Sequence, residues 1–446
     1  MSVDGKIQEI TRAIEAKNKS AAGLYHSLSG DLRKKVLEAL SADMLSSLTY
    51  LIKDAKKRSF SMAETRFLEI AAGSIITPVY LLDETLIEEN MKILQYVKDR
   101  TGCKILHALK SYASFATFPM MSRYLDGTCA SGLNEARLGY DKFKKEVHTF
   151  SAAFREKDIG QILKYSDSII FNSFYQLEKY GKIIRKKGLE TGLRVNPGHS
   201  EVATEMYNTC APRSRLGIIY DSFSEEFPKY KKMVDGLHFH AMCEQNSDVL
   251  ERILKSFEKL YGPYVNGLKW VNFGGGHHIT RDDYNIELLV KLINNFKEKY
   301  GIQVYLEPGE ASILNAGVLI STVLDIVKNV VKIAIIDASA ETHMPDVLLM
   351  PYRPHVMMSG LPNEKKYNYI IAGPSCLAGD VVGDYSFDNP LKQEDKLVFT
   401  DMALYSIVKS TTFNGINLPD IAMIHDGGKV EIVKKFDYKD YRNRQS

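Results

Sequence analysis

Apolar residues recur every three or four positions through the first part of the chain. Lys6–Lys17 and Asp31–Arg58 read as helices, and in the second Val36, Leu40, Met44, Leu48 and Leu51 form one apolar stripe. Such a stripe predicts packing on the rest of the protein or on a second copy. From Thr77 the rhythm changes to short β-rich runs: Lys104–Lys110, Gly127–Ser131, Val147–Ala152, Ser168–Asn172, Gly192–Asn196, Gly236–Ala241, Trp270–Gly274 and Val304–Glu307. Amphipathic stretches such as Ile159–Tyr165, Phe174–Lys187, Val249–Tyr261 and Ile286–Tyr300 lie between several of them. Eight such runs alternating with helices over roughly 230 residues predict a (β/α)8 TIM barrel rather than an open sheet. Beyond Ala316 the runs Val318–Val327, Val331–Ile336, Tyr367–Ile371 and Lys396–Thr400 have no long helices between them and are mostly divided by turn-rich breaks. They predict an antiparallel, β-sandwich-like domain. The fold class is therefore α/β: a helical extension over 1–75, a barrel over 76–316 and a C-terminal β-domain over 317–446.

Composition narrows the function classes. The 446 residues are 45% apolar and 25% charged, with a net charge of +3 and both signs interspersed. This is a globular composition without a nucleic-acid or membrane signature. No apolar run approaches the ~20 residues of a membrane span, and no signal-peptide core opens the chain. The five cysteines (103, 129, 210, 243 and 376) show no paired metal spacing and are too sparse for a disulfide framework. A reducing cytoplasm is the expected compartment.

Barrel enzymes gather function at the C-terminal strand ends. The pattern places Lys110, Ser131, Asn196, His240, Gly274–Gly276 and Glu307-Pro-Gly-Glu310 there. A strand-end lysine reaches for solvent or, where desolvation or a nearby cation lowers its pKa, serves as a Schiff-base nucleophile. Gly274–Gly276 fit either a tight turn or a backbone nest for phosphate, and the spacing is not that of a dinucleotide fingerprint. His238 and His240 alternate onto one strand face. With His277 and His278 nearby, they fit a metal site or an aromatic platform for a planar cofactor. Glu307 is suited to keep a pyridine nitrogen protonated, which makes the ring an electron sink. Lysine, phosphate nest, stacking histidine and acid are the parts that a pyridoxal phosphate enzyme requires.

These residues, in this order, resemble the alanine-racemase-fold (fold type III) pyridoxal phosphate decarboxylases, which act on ornithine, arginine, diaminopimelate and carboxynorspermidine. The resemblance runs from about Thr77 into the C-terminal region. His107-Ala-Leu-Lys110-Ser is similar to the Schiff-base lysine segment, and Cys129-Ala-Ser131-x-x-x-Glu135 and Leu193-Arg194-Val-Asn-Pro-Gly198 to cofactor-side segments. The resemblance gives His240 the ring-stacking role, Gly274–Gly276 the phosphate loop and Glu307 the pyridine-nitrogen acid, with no metal. Gly373-Pro-Ser-Cys376 with Asp380 resembles a loop given to the partner's site, and Met402-Ala-Leu-Tyr405, followed by Thr412-Phe-Asn-Gly415, resembles the cofactor-contacting tyrosine segment.

Within this family the likeness is greatest to members acting on carboxynorspermidine and carboxyspermidine. It rests on His240-Ala-Met-Cys-Glu-Gln245, Glu307-Pro-Gly-Glu310, His343-Met-Pro-Asp-Val347 and Cys376-Leu-Ala-Gly-Asp380. Three departures from other relatives stand out. Glu310 replaces an arginine, Cys243 stands where a phosphate-binding serine is common, and Leu377 replaces an acid after the loop cysteine. The pocket gains acids and loses a base, which suits a polyamine cation better than a dicarboxylate. The resemblance thus implies a pyridoxal 5'-phosphate carboxy-lyase of polyamine biosynthesis, a homodimer with shared active sites. Diaminopimelate, ornithine or arginine decarboxylation, or a silent regulatory homologue, are the alternatives. Lys110, His240 and Cys376 would be catalytic, with Arg194, Gly274, Gly275, Gly276, Glu307 and Tyr405 on the cofactor. Glu244, Glu310, Asp346 and Asp380 would meet the substrate's ammonium groups. A free cysteine such as Cys376 is otherwise a small buried apolar residue, and Glu244, Asp346 and Asp380 could each instead be an ordinary surface group.

Overall fold

A computed structural model describes residues 3–446. The chain divides into two compact units, one holding residues up to 56, 89–110 and 117–312, the other 57–88, 111–116 and 313–446. Among the described residues no helix is long and apolar enough to cross a membrane.

The first unit is a closed barrel. After β1 (Val79–Asp83), which belongs to the second unit, come β2 (Lys104–Ala108), β3 (Gly127–Ala130), β4 (Glu146–Phe150), β5 (Ser168–Phe171), β6 (Glu190–Arg194), β7 (Gly236–His238), β8 (Trp270–Asn272) and β9 (Gln303–Leu306). All pair in parallel with their neighbours, and β9 closes on β2 through Lys104–Tyr305 and Ile105–Leu306. Each coincides with one of the eight runs read from the sequence. The barrel is filled by Leu106, Ile170, Trp270 and Tyr305. Trp270 lies so close to β7 and β6 that a Cβ at Gly236 would meet its ring at 2.1 Å and one at Gly192 at 2.5 Å, so both positions require glycine. The indole N–H donates to Glu190 Oε2 at 2.8 Å.

The helical extension comprises α1 (Val3–Glu15), α2 (Ala21–His26), α3 (Gly30–Ala39) and α4 (Ala42–Ala72). The single helix expected over Asp31–Arg58 is two. Leu40 is extended (φ −86°, ψ 141°), and Ser41 Oγ accepts the Met44 N–H at 3.3 Å, opening α4 as its cap. Val36, Leu40, Leu48 and Leu51 are buried, as the stripe requires. In the barrel unit the Tyr25 hydroxyl and Arg33 Nε both donate to Asp99 Oδ2, at 2.8 and 2.7 Å, on α5 (Glu84–Thr101).

The second unit is one mixed sheet in the order β13-β12-β11-β10-β1-β15-β16, with β14 also on β10. Its later strands are β10 (Gly317–Asn329), β11 (Val331–Ile336), β12 (Tyr367–Ala372), β13 (Val381–Phe387), β14 (Lys396–Phe399), β15 (Asp420–Ile424) and β16 (Val430–Lys434). Most pairings are antiparallel, but β1 with β15 and β11 with β12 are parallel. β10 serves both halves, pairing with β1 and β14 before a register shift at Val323/Asp325 and with β11 from Val323 onward. β1 is a correction to the sequence reading. It falls within the span assigned to the barrel, yet its five buried residues complete this sheet.

Candidate active site

Pairing continues past the barrel strands, so the residues that follow them are held rigidly. Leu109 N–H donates to Cys129 O (3.1 Å), Phe239 N–H to Asn272 O (3.0 Å), Phe273 N–H to Tyr305 O (2.9 Å) and Glu307 N–H to Gly274 O (2.8 Å). The next residues are Lys110, His240, Gly274 and the Glu307 side chain itself, all at the C-terminal rim.

Glu307 is fixed by two neighbours. Asn272 Nδ2 donates to Oε1 at 2.8 Å, and His238 Nε2 lies 3.3 Å from Oε2. Burial opposes ionisation of this carboxyl, but the His238 imidazole and the Asn272 amide outweigh it and hold it at about 2. Burial lowers the His238 pKa from its ordinary value, and the Glu307 charge and hydrogen bond act against that fall. His240 Nδ1 accepts the Gly275 N–H at 2.7 Å, which leaves the proton on Nε2. Burial, then the Lys110 and Arg194 cations, keep this imidazole far below its usual range.

The glycine run is dictated by close approach. Gly274 and Gly276 have φ of 71° and 82°, and a Cβ at Gly274, Gly275 or Gly276 would meet the carbonyl oxygen of Phe239, Glu307 or Met242 at 2.3, 2.6 or 2.1 Å. Arg194 is buried, with its guanidinium 4.6 Å over the Phe150 ring and NH2 3.4 Å from the His240 carbonyl oxygen. Burial lowers its pKa to about 10. Cys129 and Glu135 stand close enough to Lys110 to feel its charge, and burial raises both their pKa values. Glu135 Oε2 accepts the Ser131 N–H at 2.6 Å.

Two of the acids expected to meet substrate lie at this rim. Glu310 is buried, with Oε2 3.7 Å from His278 Nε2, and Glu244 is exposed on a left-handed backbone (φ 53°). Cys243 lies near both, its thiol pushed up to about 12 by burial and then by the Glu310 and Glu244 charges.

The remaining candidates lie in the second unit. Cys376 is exposed, so the alternative of a small buried filler does not hold; its N–H donates to Asn414 Oδ1 at 2.6 Å. Tyr405 sits at φ 53° and its N–H donates to Ser111 O at 2.7 Å. Asp380 is a correction. It is 3% exposed and accepts from Ser339 Oγ (2.8 Å) and from the N–H groups of Ala340 (2.8 Å), Glu341 (3.3 Å) and Ser375 (3.2 Å). Its carboxylate caps the helix Ala340–His343 and ties it to the cysteine loop, rather than facing a substrate. Asp346 is paired with Lys409 Nζ, at 2.6 and 2.8 Å from its two oxygens.

Two contributors escaped the sequence reading, Asn272 and the His238–Glu307 contact, while His278, read there as a possible metal nitrogen, stands beside Glu310. The alternation of His238 with His240 was the available signal for the second, and an asparagine ending the apolar run Trp270-Val-Asn272 for the first.

These residues suit a pyridoxal phosphate. A fixed, ionised carboxylate, an imidazole whose orientation is set by a backbone amide, a glycine run without side chains, a buried arginine and a rim lysine meet at one end of the barrel.

Comparison with known proteins agrees. The family model described as pyridoxal-dependent decarboxylase, C-terminal sheet domain, matches residues 41–403, and so takes in α4, which the sequence resemblance left out. A carboxynorspermidine/carboxyspermidine decarboxylase of Campylobacter jejuni is 43% identical over 381 residues, covering 83% of this chain and 98% of that one. A carboxyaminopropylagmatine decarboxylase of Synechocystis is 37% identical over 374 residues, covering 83% and 96%. The crystal structure of carboxynorspermidine decarboxylase from Campylobacter jejuni complexed with norspermidine superposes with a TM-score of 0.77 at 41% identity, covering 83% of this chain and all of that one.

Proposed function

This chain belongs to the pyridoxal-dependent decarboxylases, and from that premise we propose that it removes the α-carboxylate of carboxynorspermidine or carboxyspermidine to leave norspermidine or spermidine. The observation that carries the substrate assignment is Glu310. A buried acid stands on the turn after Glu307, where the family resemblance leads one to expect an arginine. A substrate ending in ammonium groups is stabilised there, and one ending in a second carboxylate is repelled.

When bound, the cofactor supplies an electron sink for the carbanion left by loss of CO2. Lys110 Nζ is the amine that would hold it covalently, with His240 at its ring face and Glu307 at its pyridine nitrogen. Glu307 performs its task because Asn272 and His238 keep it ionised and oriented. The Gly275–His240 hydrogen bond fixes the imidazole and keeps it uncharged. Gly274–Gly276 and Arg194 are assigned to the phosphate side and Tyr405 to a further cofactor contact. Cys376 Sγ is assigned the proton returned to the α-carbon, and its exposed loop fits a group delivered to a second subunit, so the working form is a homodimer with composite sites. Retention of Lys110, His240, Glu307 and Cys376 argues against a silent homologue.

The test is turnover of the purified, cofactor-loaded protein with carboxynorspermidine, carboxyspermidine, carboxyaminopropylagmatine, diaminopimelate, ornithine and arginine, following CO2 release. The carboxypolyamines should have the highest kcat/KM. Diaminopimelate, ornithine or arginine as the better substrate would overturn the assignment.

A further inference from the structure

Nothing so far gives the helical extension a task, yet α4 reaches the segment behind the glycine run. Thr49, Lys53 and Lys56 are spaced four and three residues apart and share one helix face. Thr49 Oγ1 donates to Glu287 Oε1 at 2.6 Å, on the helix Ile286–Tyr300. Lys53 Nζ donates to the carbonyl oxygens of Asp282 and Tyr284, the latter at 3.1 Å. Lys56 is only 4% exposed and its Nζ donates to the Thr280 carbonyl oxygen at 2.6 Å. An ammonium buried on a backbone carbonyl is costly, because lysine is ordinarily left in water.

Thr280 passes the restraint on. Its hydroxyl donates to the Ala311 carbonyl oxygen at 2.7 Å, and both residues are buried. Ala311 is the middle residue of the single turn Glu310–Ser312, so this bond holds the turn that carries Glu310. Between Gly276 and Thr280 stands His278, the neighbour of Glu310. Burial, then the Arg281 and Lys56 cations, hold this imidazole at about 4, so it faces Glu310 uncharged.

We propose that Lys56 is a positioning residue for the substrate end of the site: it fixes the Thr280 segment and, through the Thr280–Ala311 hydrogen bond, sets where the Glu310 carboxylate stands. This rests on the reading of Glu310 as the partner of a substrate ammonium. Because Lys56 is taken to act through Thr280 and not on the reacting atoms, its loss should weaken substrate binding and leave the chemical step alone.

The test compares Lys56→Met, Lys56→Arg and Thr280→Val as holoenzymes, by hydrogen–deuterium exchange and by kinetics with carboxynorspermidine. Thr280→Val removes the hydroxyl and keeps the carbonyl that Lys56 uses. Lys56→Met should speed exchange across 277–285 and 310–314 and raise KM about tenfold with kcat within about twofold, as expected for lost ground-state binding. Lys56→Arg should restore both readouts. Thr280→Val should speed exchange at 310–314 alone and raise KM similarly. Wild-type exchange at 310–314 in Lys56→Met, or an unchanged KM in Thr280→Val, would overturn the proposal. If Lys56→Met fails to fold, Thr280→Val decides. If no carboxypolyamine is turned over, the functional reading fails, while the exchange pattern still reports whether Lys56 positions the turn.

Discussion

Replacing Glu307 with glutamine removes the negative charge that we propose to stand at the cofactor's pyridine nitrogen. The carboxyl is held at about 2 against an ordinary 4.5, which corresponds to roughly 3 kcal/mol of preference for the ionised form. Glutamine keeps the shape, but it has one acceptor oxygen where the carboxylate has two. Asn272 Nδ2 and His238 Nε2 approach separate oxygens, so one of them would face an NH2 group. With charge and one hydrogen bond lost, kcat should fall on the order of a hundredfold or more, with the cofactor still bound. The same charge acts on folding. Because the folded-state pKa is depressed, the stabilisation is present above pH 4.5 and is lost as pH falls toward about 2. The cofactor-free Glu307→Gln variant should therefore melt below the wild type at pH 7, and the gap should narrow between pH 4.5 and 2. Paired kcat measurements and melting curves test this. Wild-type kcat in the variant, or a melting gap constant across that range, would refute the assignment of Glu307 as the charged partner.

Lys110→Ala should abolish CO2 release and the visible absorbance of lysine-bound cofactor while circular dichroism stays native; colour surviving dialysis would place the covalent lysine elsewhere. Mixing inactive Lys110→Ala with inactive Cys376→Ala should restore roughly a quarter of wild-type activity, since random reassortment gives about half heterodimers with one intact site each. No recovery in a mixture shown to have exchanged subunits would put the cysteine in cis or outside the chemistry. Glu310→Arg should not improve carboxyspermidine turnover, because it sets a cation against a cationic chain; a lower KM for carboxyspermidine would contradict that. His425, between Glu84 Oε2 and Glu431 Oε2 at 3.0 Å each, has its pKa raised by the hydrogen bond to Glu84. That contribution to stability is complete below pH ~6.5 and is lost as pH rises through the raised value. A His425→Leu variant should thus differ more from wild type in melting temperature at pH 5.5 than at pH 8.5.

The barrel was legible because its parallel strands are buried on both faces and so appear as short, nearly continuous apolar runs. The sheet was less so. β16 is largely exposed and shows no clean alternation, β13 carries Gly383 and Asp384 in its middle, and β1 takes its partners from residues 317–320 and 420–424. Nothing local in Val79–Asp83 tells which domain it will join. The rim residues were legible because strand ends mark them, whereas the Asn272–Glu307–His238 contacts and the Lys56–Thr280 link join residues far apart in sequence. Asp380 misled for the opposite reason. Its nearness to Cys376 in the chain reads as a second functional group, but a short loop turns that carboxylate inward, where four donors bind it.

The loss of Asp380 as a substrate contact moves the burden of charge selection. Asp346 already shares its two oxygens with Lys409, so a substrate ammonium would have to compete with a resident cation there. Glu310 and Glu244 both lie on loops following barrel strands, and of the two Glu310 is the one shielded from water. Shielding decides which matters more. At an effective dielectric near 20 a unit charge at ~4 Å interacts by about 4 kcal/mol, against about 1 kcal/mol in bulk water. A distal carboxylate beside Glu310 would suffer that repulsion and a distal ammonium would gain it. His278, neutral beside Glu310, supplies no full positive charge to offset either. On the proposed function, selection for a basic chain would thus rest chiefly on the turn Glu310–Ser312, whose middle residue Ala311 accepts the Thr280 hydroxyl.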